Sequence, residues 1–529
     1  MRVDSRILIN TLATYARSLL VLALGLFSTR WVLQGLGAVD FGLFGVVGSI
    51  IVFVTFFNTV MSMSVSRHFS FALGRCRMMG REDVSELRAW FNASLSVHFF
   101  IPTVLVLVGY PVGIWVIREW LVIPPNRLET CTWVFRLAVI SAFLSMMAVP
   151  FRAVYVARQR IAEQVIYEMM GAVVSFAFAW SLLCYVGDRL FYYAAYQTGV
   201  GVLFSFIYVV RAWVAFPETR ICFADWWNRE KIRELVGFAS WNLFGALGWL
   251  GNNQGMALVG NKFFGPLANA ALNIAAQVSG QVTALTNALT TALNPEIVAT
   301  EGTGDRSRAI RLAFTSCRLA SLLNLLFMLP LVFEMRYVLE LWLKTPPEGA
   351  VLFCRIALLT ALFNSLSVGH AVAMGAEGHI RGYQVTIGTL MLLSIPLAWF
   401  GCKAGLPVWT IPGASALAVA VCSLGRVWWA RRLLKMSVQA WTRDVLIPIL
   451  FLCVLTGGAL GSITFLLPVS FGRLLLTSGV GVLIVISCAL AFVLSPVERD
   501  QIRMMVLRLL QKTGFGRPCV NGVPKEGAA

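Results

Sequence analysis

Long apolar runs recur from one end of this chain to the other, and they limit what it can fold into. A run of about 20 apolar residues spans a bilayer core about 30 Å thick, since a helix rises about 1.5 Å per residue. Only 13% of the residues are charged, against about 25% in soluble domains. The sequence therefore predicts an all-α polytopic membrane protein without a sizeable soluble domain.

We predict about fourteen transmembrane spans. Their approximate bounds are 7–33, 42–72, 86–117, 130–154, 162–186, 190–216, 234–260, 267–295, 308–334, 349–374, 381–402, 407–428, 444–467 and 473–495. The first run lacks an A-x-A-like cleavage site and is longer than a signal-peptide core, so we expect it to be a retained helix.

The net charge of +18 is unevenly distributed over the predicted loops. With the N-terminus in the cytoplasm, cytoplasmic segments and helix ends carry about three times as many Lys and Arg residues as the opposite side, which follows the positive-inside rule. This bias predicts that both termini are cytoplasmic. It also explains most of the net charge, so we expect no nucleic-acid partner.

Two passages of the chain resemble each other. Trp120 matches Trp342, the pair Pro124–Pro125 matches Pro346–Pro347, and each passage joins the third and fourth spans of a six-span unit. Because six is even, the two units start on the same side of the membrane. This predicts two parallel-repeat six-helix lobes related by an axis along the membrane normal. The predicted division is 1–217 for the N-lobe, 218–233 for a cytoplasmic linker, 234–428 for the C-lobe, 429–495 for two extra C-terminal helices, and 496–529 for a cytoplasmic tail with an interfacial helix.

Polar residues form stripes on spans 1, 2, 7 and 8, which are related by the repeat. Amides and hydroxyls in membranes often only hold helices together. Ten amides on spans 7 and 8 instead favour a water-filled cavity between the lobes. The candidate substrate-binding residues are Arg17, Asn58, Asn252, Asn253, Asn273, Gln277, Gln281 and Arg318.

Arg17 and Arg318 each lie about ten residues inside a span, where a charge costs roughly 2.5–3.5 kcal/mol on insertion scales. Span 1 offers Arg17 no carboxylate along its own face, and acids within spans are sparse. We therefore expect a cavity with net positive charge, which suits a phosphate or pyrophosphate group. A cation or drug exporter would need buried Asp or Glu instead.

Other features are assigned structural roles. In "LGAVDFG", Asp40 is predicted to cap the second span while Gly37 and Gly42 permit the reversal. The eleven cysteines and four histidines are scattered without metal-ligand spacing, so no metal or cofactor is expected. The short loops disfavour an enzyme.

The stretch "NTLATYARSLLVLALGLFSTRWVLQGLGAVDFGLFGVVGSIIVFVTFFN" and the segment "WLVIPPNR" resemble bacterial polysaccharide exporters, the Wzx-type O-antigen flippases. These belong to the multidrug/oligosaccharidyl-lipid/polysaccharide exporter superfamily. The resemblance implies two lobes around a central cavity, location in the bacterial inner membrane, and transfer of an undecaprenyl-pyrophosphate-linked oligosaccharide to the periplasmic leaflet by alternating access. It also implies that Arg17 faces the cavity.

The expected partners are the lipid-linked oligosaccharide, membrane lipids and a coupling ion, H⁺ or Na⁺, and we expect a monomer. Three alternatives stay open: a multidrug or cation antiporter of the same superfamily, a lipid II flippase, and a polytopic glycan-processing enzyme. The sequence leaves open the glycan, the energy source and the role of the last two helices.

Overall fold

The computed structural model describes residues 5–78, 84–158, 160–302, 304–377, 380–494 and 499, and within these ranges it leaves some side chains undescribed. Their regular structure is helical throughout. The α-helices are α1 Ser5–Met78, α2 Val84–Trp115, α3 Leu128–Met147, α4 Val149–Ala157, α5 Ile161–Ser181, α6 Arg189–Ala215, α7 Arg229–Gly302, α8 Arg306–Leu343, α9 Ala350–Ser365, α10 Val368–Glu377, α11 Arg381–Lys403, α12 Thr410–Leu434, α13 Val438–Trp441, α14 Ile447–Leu466 and α15 Phe471–Cys488.

The two longest helices, α1 and α7, are each sharply kinked at a glycine. Gly37 has φ 76° and ψ 166°, and Gly265 has φ 72° and ψ −171°. Residues with a Cβ rarely adopt such positive φ angles, so glycine allows the chain to reverse without a loop. Each helix therefore has two arms, 5–36 and 38–78 in α1, and 229–264 and 266–302 in α7. We call the end of the bundle that holds both glycines the kink end.

Counting each arm once, and treating α3–α4, α9–α10 and α13–α14 as single broken rods, gives fourteen rods in the described ranges. By length and composition, nine helices of those ranges can cross a membrane, or ten if the 40° bend between α9 and α10 lies within one span. The predicted all-α polytopic fold with about fourteen spans is confirmed.

The two halves of the chain break at corresponding places. The kink at Gly37 corresponds to the kink at Gly265, and the break after α3 corresponds to the break after α9. These paired breaks agree with the internal repeat read from the sequence. The residue boundaries of the lobes and the linker stay a prediction.

Each half of the chain forms most of its own apolar core, with a few residues such as Leu33 and Leu235 packing across. The largest core cluster joins α8, α9, α11 and α12 around Cys317, Leu358 and Met391, all fully buried. Two smaller clusters fill the first half, one around Leu43 and the other around Phe91. The extra helices α14 and α15 pack against α8, so they are attached to the second half.

At the kink end the two halves approach closely. A Cβ added to Gly42 would stand 1.9 Å from the carbonyl oxygen of Pro266, so this glycine permits close packing and not the reversal predicted for it. Asp40 does not precede the second arm as a cap either, because it lies within the first turn of that arm, three residues after Gly37. Its carboxylate instead accepts from Arg127 Nη2 at 2.8 Å, which fixes the turn before α3.

Candidate functional site

A cavity of about 650 Å³ lies between the two halves of the bundle. It is bounded by the second arm of α1, both arms of α7, α9 and α12. Its polar lining residues are Ser49, Asn252, Asn253, Gln254, Asn273, Ser279, Thr360 and Ser415. Among the residues that the structure describes, no Asp, Glu, Lys or Arg lines this cavity. We call it the central cavity.

Two adjacent asparagines of α7 have different roles in the central cavity. Asn252 is only 1% exposed. It accepts from Ser394 Oγ at 2.8 Å and donates to Ser415 Oγ at 2.9 Å, so it joins α7 to α11 and α12. Asn253 is exposed on the cavity side and makes no hydrogen bond within the described part of the chain. Its amide is thus available to a ligand as both donor and acceptor.

The central cavity continues towards the kink end past Asn273. A Cβ on Gly45 would stand 1.9 Å from the Asn273 amide nitrogen, so a larger residue at position 45 would displace this side chain. Phe44, next in the chain, also lines the cavity and packs edge-on against Tyr193 at 4.6 Å. The lining therefore combines neutral hydrogen-bonding groups with apolar surface.

A second cavity of about 550 Å³ lies between the first arm of α1, the second arm of α7, and α8. Its walls are mainly apolar and include Leu22, Leu26, Phe27, Val278, Leu285, Phe327, Leu331 and Leu341. Arg30, Gln277, Gln281 and Trp342 are the polar or amphipathic residues lining it. We call it the apolar groove.

The groove and the central cavity are neighbours along one helix. Asn273 lines the cavity, and Gln277, one turn later on α7, lines the groove. The Gln277 amide donates to Thr29 Oγ1 at 2.7 Å, and Trp342 Nε1 donates to the Leu26 carbonyl at 2.7 Å. These bonds hold the first arm of α1 against the second half of the bundle.

The structure places the predicted site residues in three groups. Asn252, Asn253 and Asn273 line the central cavity, whereas Gln277 and Gln281 line the groove. Arg17 and Arg318 line neither of these two cavities. The side chain of Asn58 lies outside what the structure describes.

Arg17 has the acidic partner that the sequence analysis did not find. Its guanidinium forms an ion pair with Glu168 of α5, and Gln164 donates to the other Glu168 oxygen at 3.1 Å. Arg17 lies twenty residues before Gly37, which places it about 30 Å from the kink end along the helix. The net positive central cavity expected from the sequence is absent from the described residues; the lining there is neutral.

Two further arginines, which the sequence analysis did not propose as site residues, lie in partly or fully buried positions. Arg30 lines the groove. Arg426 of α12 is only 6% exposed, and its guanidinium donates to Asn364 Oδ1 at 2.7 Å. Both residues are close to the ends of predicted spans, where arginines are common. Helical spacing does not show which residues of other helices surround them.

No family model and no curated protein sequence matches the chain. Solved structures do match. An inward-facing multidrug resistance MATE family transporter of the MOP superfamily is similar with TM-score 0.65 and 12% identity, over 78% of this chain and 95% of that chain. The lipid II flippase MurJ, in an inward closed conformation, is similar with TM-score 0.62 and 10% identity, over 94% of this chain and 100% of that one.

A third similar structure is a MOP superfamily transporter from Pyrococcus furiosus, described as having a binding pocket of reverse polarity, with TM-score 0.52 and 12% identity over 82% of this chain and 95% of that chain. At such low identities the likeness shows the fold. The chain thus has the fold of the MOP superfamily transporters, and its many apolar helices make it a multi-pass membrane protein.

Proposed function

We propose that this protein flips an undecaprenyl-pyrophosphate-linked oligosaccharide, the repeat unit of an O-antigen, capsule or exopolysaccharide, from the cytoplasmic to the periplasmic leaflet of a bacterial inner membrane. The observation that carries the proposal is the neutral, amide-lined central cavity between the two halves of a transporter fold. The protein acts as a transporter and not as an enzyme.

The chemistry of the cavity favours sugars over ions. Sugar hydroxyls both donate and accept hydrogen bonds, and amides and hydroxyls such as Asn253, Thr360 and Ser279 offer both functions without charge. A cation exporter would need a carboxylate to offset the cost of taking a cation out of water. No carboxylate lines the described part of this cavity.

Transport occurs by alternating access, in which the central cavity opens first to one side of the membrane and then to the other. The close contacts of Gly42 and Gly45 with the second arm of α7 support a state that is closed at the kink end. With both termini in the cytoplasm, as the charge bias predicts, the kink end faces the periplasm. The membrane potential then acts on any charge that moves, at about 2.3 kcal/mol per charge per 100 mV. Coupling to H⁺ or Na⁺, like the monomeric state, stays a prediction.

A lipid II flippase is the second candidate, because the similarity to MurJ covers 94% of this chain and 100% of MurJ. The two candidates differ in the glycan and not in the type of transport. A cation or drug antiporter is disfavoured by the uncharged cavity.

The test is complementation in a bacterial strain that lacks the gene, with surface-glycan display and lipid II translocation measured side by side. We expect the wild-type protein to restore glycan display. The Asn253→Ala variant should be present at a normal level but fail to restore display. Asn126→Ala, an exposed asparagine in the turn before α3, is the matched control. Restored lipid II translocation without glycan display would select the second candidate. Normal glycan display in the strain that lacks the gene would refute the proposal.

A further inference from the structure

We propose that the apolar groove is a binding site for a long-chain isoprenoid phosphate, in which Arg30 binds the phosphate and the apolar walls bind the chain. This inference rests on the proposed function, because it assigns a place to the lipid part of the same substrate. The groove lies at the seam between the two halves, between α1, α7 and α8.

Arg30 is a cation without a partner in the part of the chain that the structure describes. It makes no hydrogen bond and no ion pair there, although it is half-buried beside the groove. Two other arginines near the kink end are paired with acids: Arg127 with Asp40 at 2.8 Å, and Arg473 with Glu334 at 2.9 Å. A half-buried guanidinium without an acid is well suited to an anion, and its planar fork matches the oxygens of a phosphate.

The depth of Arg30 suits a lipid phosphate. It precedes Gly37 by seven residues, about 10 Å along the helix, which places it towards the kink end and close to a membrane surface. Trp342, a residue type that favours the membrane interface, lines the same groove. The apolar walls extend from there towards the middle of the bundle through Leu26, Leu22 and Leu285.

The central cavity cannot offer the phosphate a cation from its described lining, because every polar lining residue there is neutral. Arg17 is already paired with Glu168. Thr29, the neighbour of Arg30, hydrogen-bonds to Gln277, and Gln277 lies one turn from the cavity residue Asn273. A lipid-linked glycan can therefore place its sugars in the cavity and its phosphate and chain in the adjoining groove.

The occupant we commit to is the isoprenoid phosphate, not an ordinary phospholipid. A phospholipid carries a similar phosphate, but it has no reason to be held beside a cavity lined by sugar-binding groups. Free inorganic phosphate would leave the apolar walls of the groove unused.

The test uses the full-length protein, purified in detergent, and undecaprenyl phosphate without any sugar as the probe. Binding is measured by native mass spectrometry, with phosphatidylglycerol and inorganic phosphate as competitors. We expect Arg30→Gln to weaken binding at least tenfold. The matched control, Arg336→Gln, removes an arginine of α8 that is 82% exposed, and it should leave binding unchanged.

A second variant separates the site from a folding defect. Leu285→Trp fills the groove from an exposed position and should weaken binding of undecaprenyl phosphate while the protein stays monodisperse. Equal binding by wild type and Arg30→Gln would overturn the proposal. So would displacement of the probe by equimolar phosphatidylglycerol or by inorganic phosphate.

The experiments distinguish a failure of the proposed export function from a failure of the proposed lipid-binding site. If a strain lacking the gene still displays surface glycan while undecaprenyl phosphate binding depends on Arg30, the export proposal is wrong and the lipid site stands. If export depends on the gene while Arg30→Gln binds the probe normally, the lipid site is wrong and the export proposal stands.

Discussion

The side chain of Asn261 hydrogen-bonds both backbone groups of Val122. Its Oδ1 accepts from the Val122 N–H at 2.7 Å, and its Nδ2 donates to the Val122 carbonyl at 3.4 Å. Asn261 is fully buried in the first arm of α7, while Val122 lies in the segment between α2 and α3. One amide thus joins the two halves of the bundle close to the kink end, where Trp120 also stacks on Trp399 at 5.8 Å.

We predict that Asn261→Ala favours the state that is open at the kink end. The variant removes the two hydrogen bonds that hold Val122 to α7, each worth about 0.5–1.5 kcal/mol. Because Val122 is itself 47% exposed, water can replace both bonds when the bundle opens, so the closed state alone loses stability. A cysteine placed at Ser49 in a background without native cysteines should react several-fold faster with an impermeant thiol reagent applied from outside. Asn126→Ala is the control. Unchanged or slower labelling would show that this contact does not hold the bundle closed.

Arg17 and Glu168 are expected to act as a pair. Each side chain is about one-third exposed, so the ion pair itself contributes only modestly to stability. If pairing is the role of Arg17, then Arg17→Ala and Glu168→Ala should each reduce surface-glycan display, and the double variant should be no worse than Arg17→Ala alone. Display and protein level are measured together. Losses that add in the double variant would instead support the direct substrate role predicted from the sequence.

The Arg17 pair shows where sequence reasoning reached its limit. Hydropathy predicted the spans because membrane burial acts on each helix separately, and helical spacing predicted that Asn252 and Asn273 belong to polar faces. Glu168 is 151 residues away from Arg17, so their contact depends on how α1 packs against α5, which no local pattern contains.

The same limit applies to the cavities. Periodicity tells which side chains share one face of a helix, but not which faces meet. The first arm of α1 was therefore expected to line the central cavity, whereas it lines the apolar groove. Thr360 and Ser415 line the central cavity from α9 and α12, and as isolated hydroxyls in apolar spans they carried no signal.

Glu334 and Arg473 should anchor the C-terminal helices. Their side chains are 0% and 10% exposed, and the 2.9 Å contact joins α15 to α8. Removing one partner of a buried pair costs about 3–5 kcal/mol, because the other charge stays buried without compensation. Glu334→Gln should therefore lower the thermal unfolding temperature, and the double variant Glu334→Leu with Arg473→Met should recover much of the loss. A double variant that is less stable than Glu334→Gln would contradict this explanation.

The adjacent residues Asn252 and Asn253 should separate structure from transport. Asn252 is buried and bonded to Ser394 and Ser415, so Asn252→Ala leaves two hydroxyls with fewer partners and should cost about 1–3 kcal/mol of stability. Asn253 faces the central cavity without a partner in the described part of the chain, so Asn253→Ala should leave the unfolding temperature nearly unchanged.

For transport we expect the reverse order, with the larger effect per molecule of protein from Asn253→Ala. Because the Asn252 amide is already bonded to Ser394 and Ser415 whereas the Asn253 amide is available to a ligand, Asn253→Ala should reduce surface-glycan display per molecule of protein. The loss with Asn252→Ala should instead follow the lowered protein level. Unfolding in detergent and display normalised to protein level are the two measurements. Normal display with Asn253→Ala would mean that the cavity recognises its substrate through other groups, since the substitution removes both the donor and the acceptor that this side chain offers.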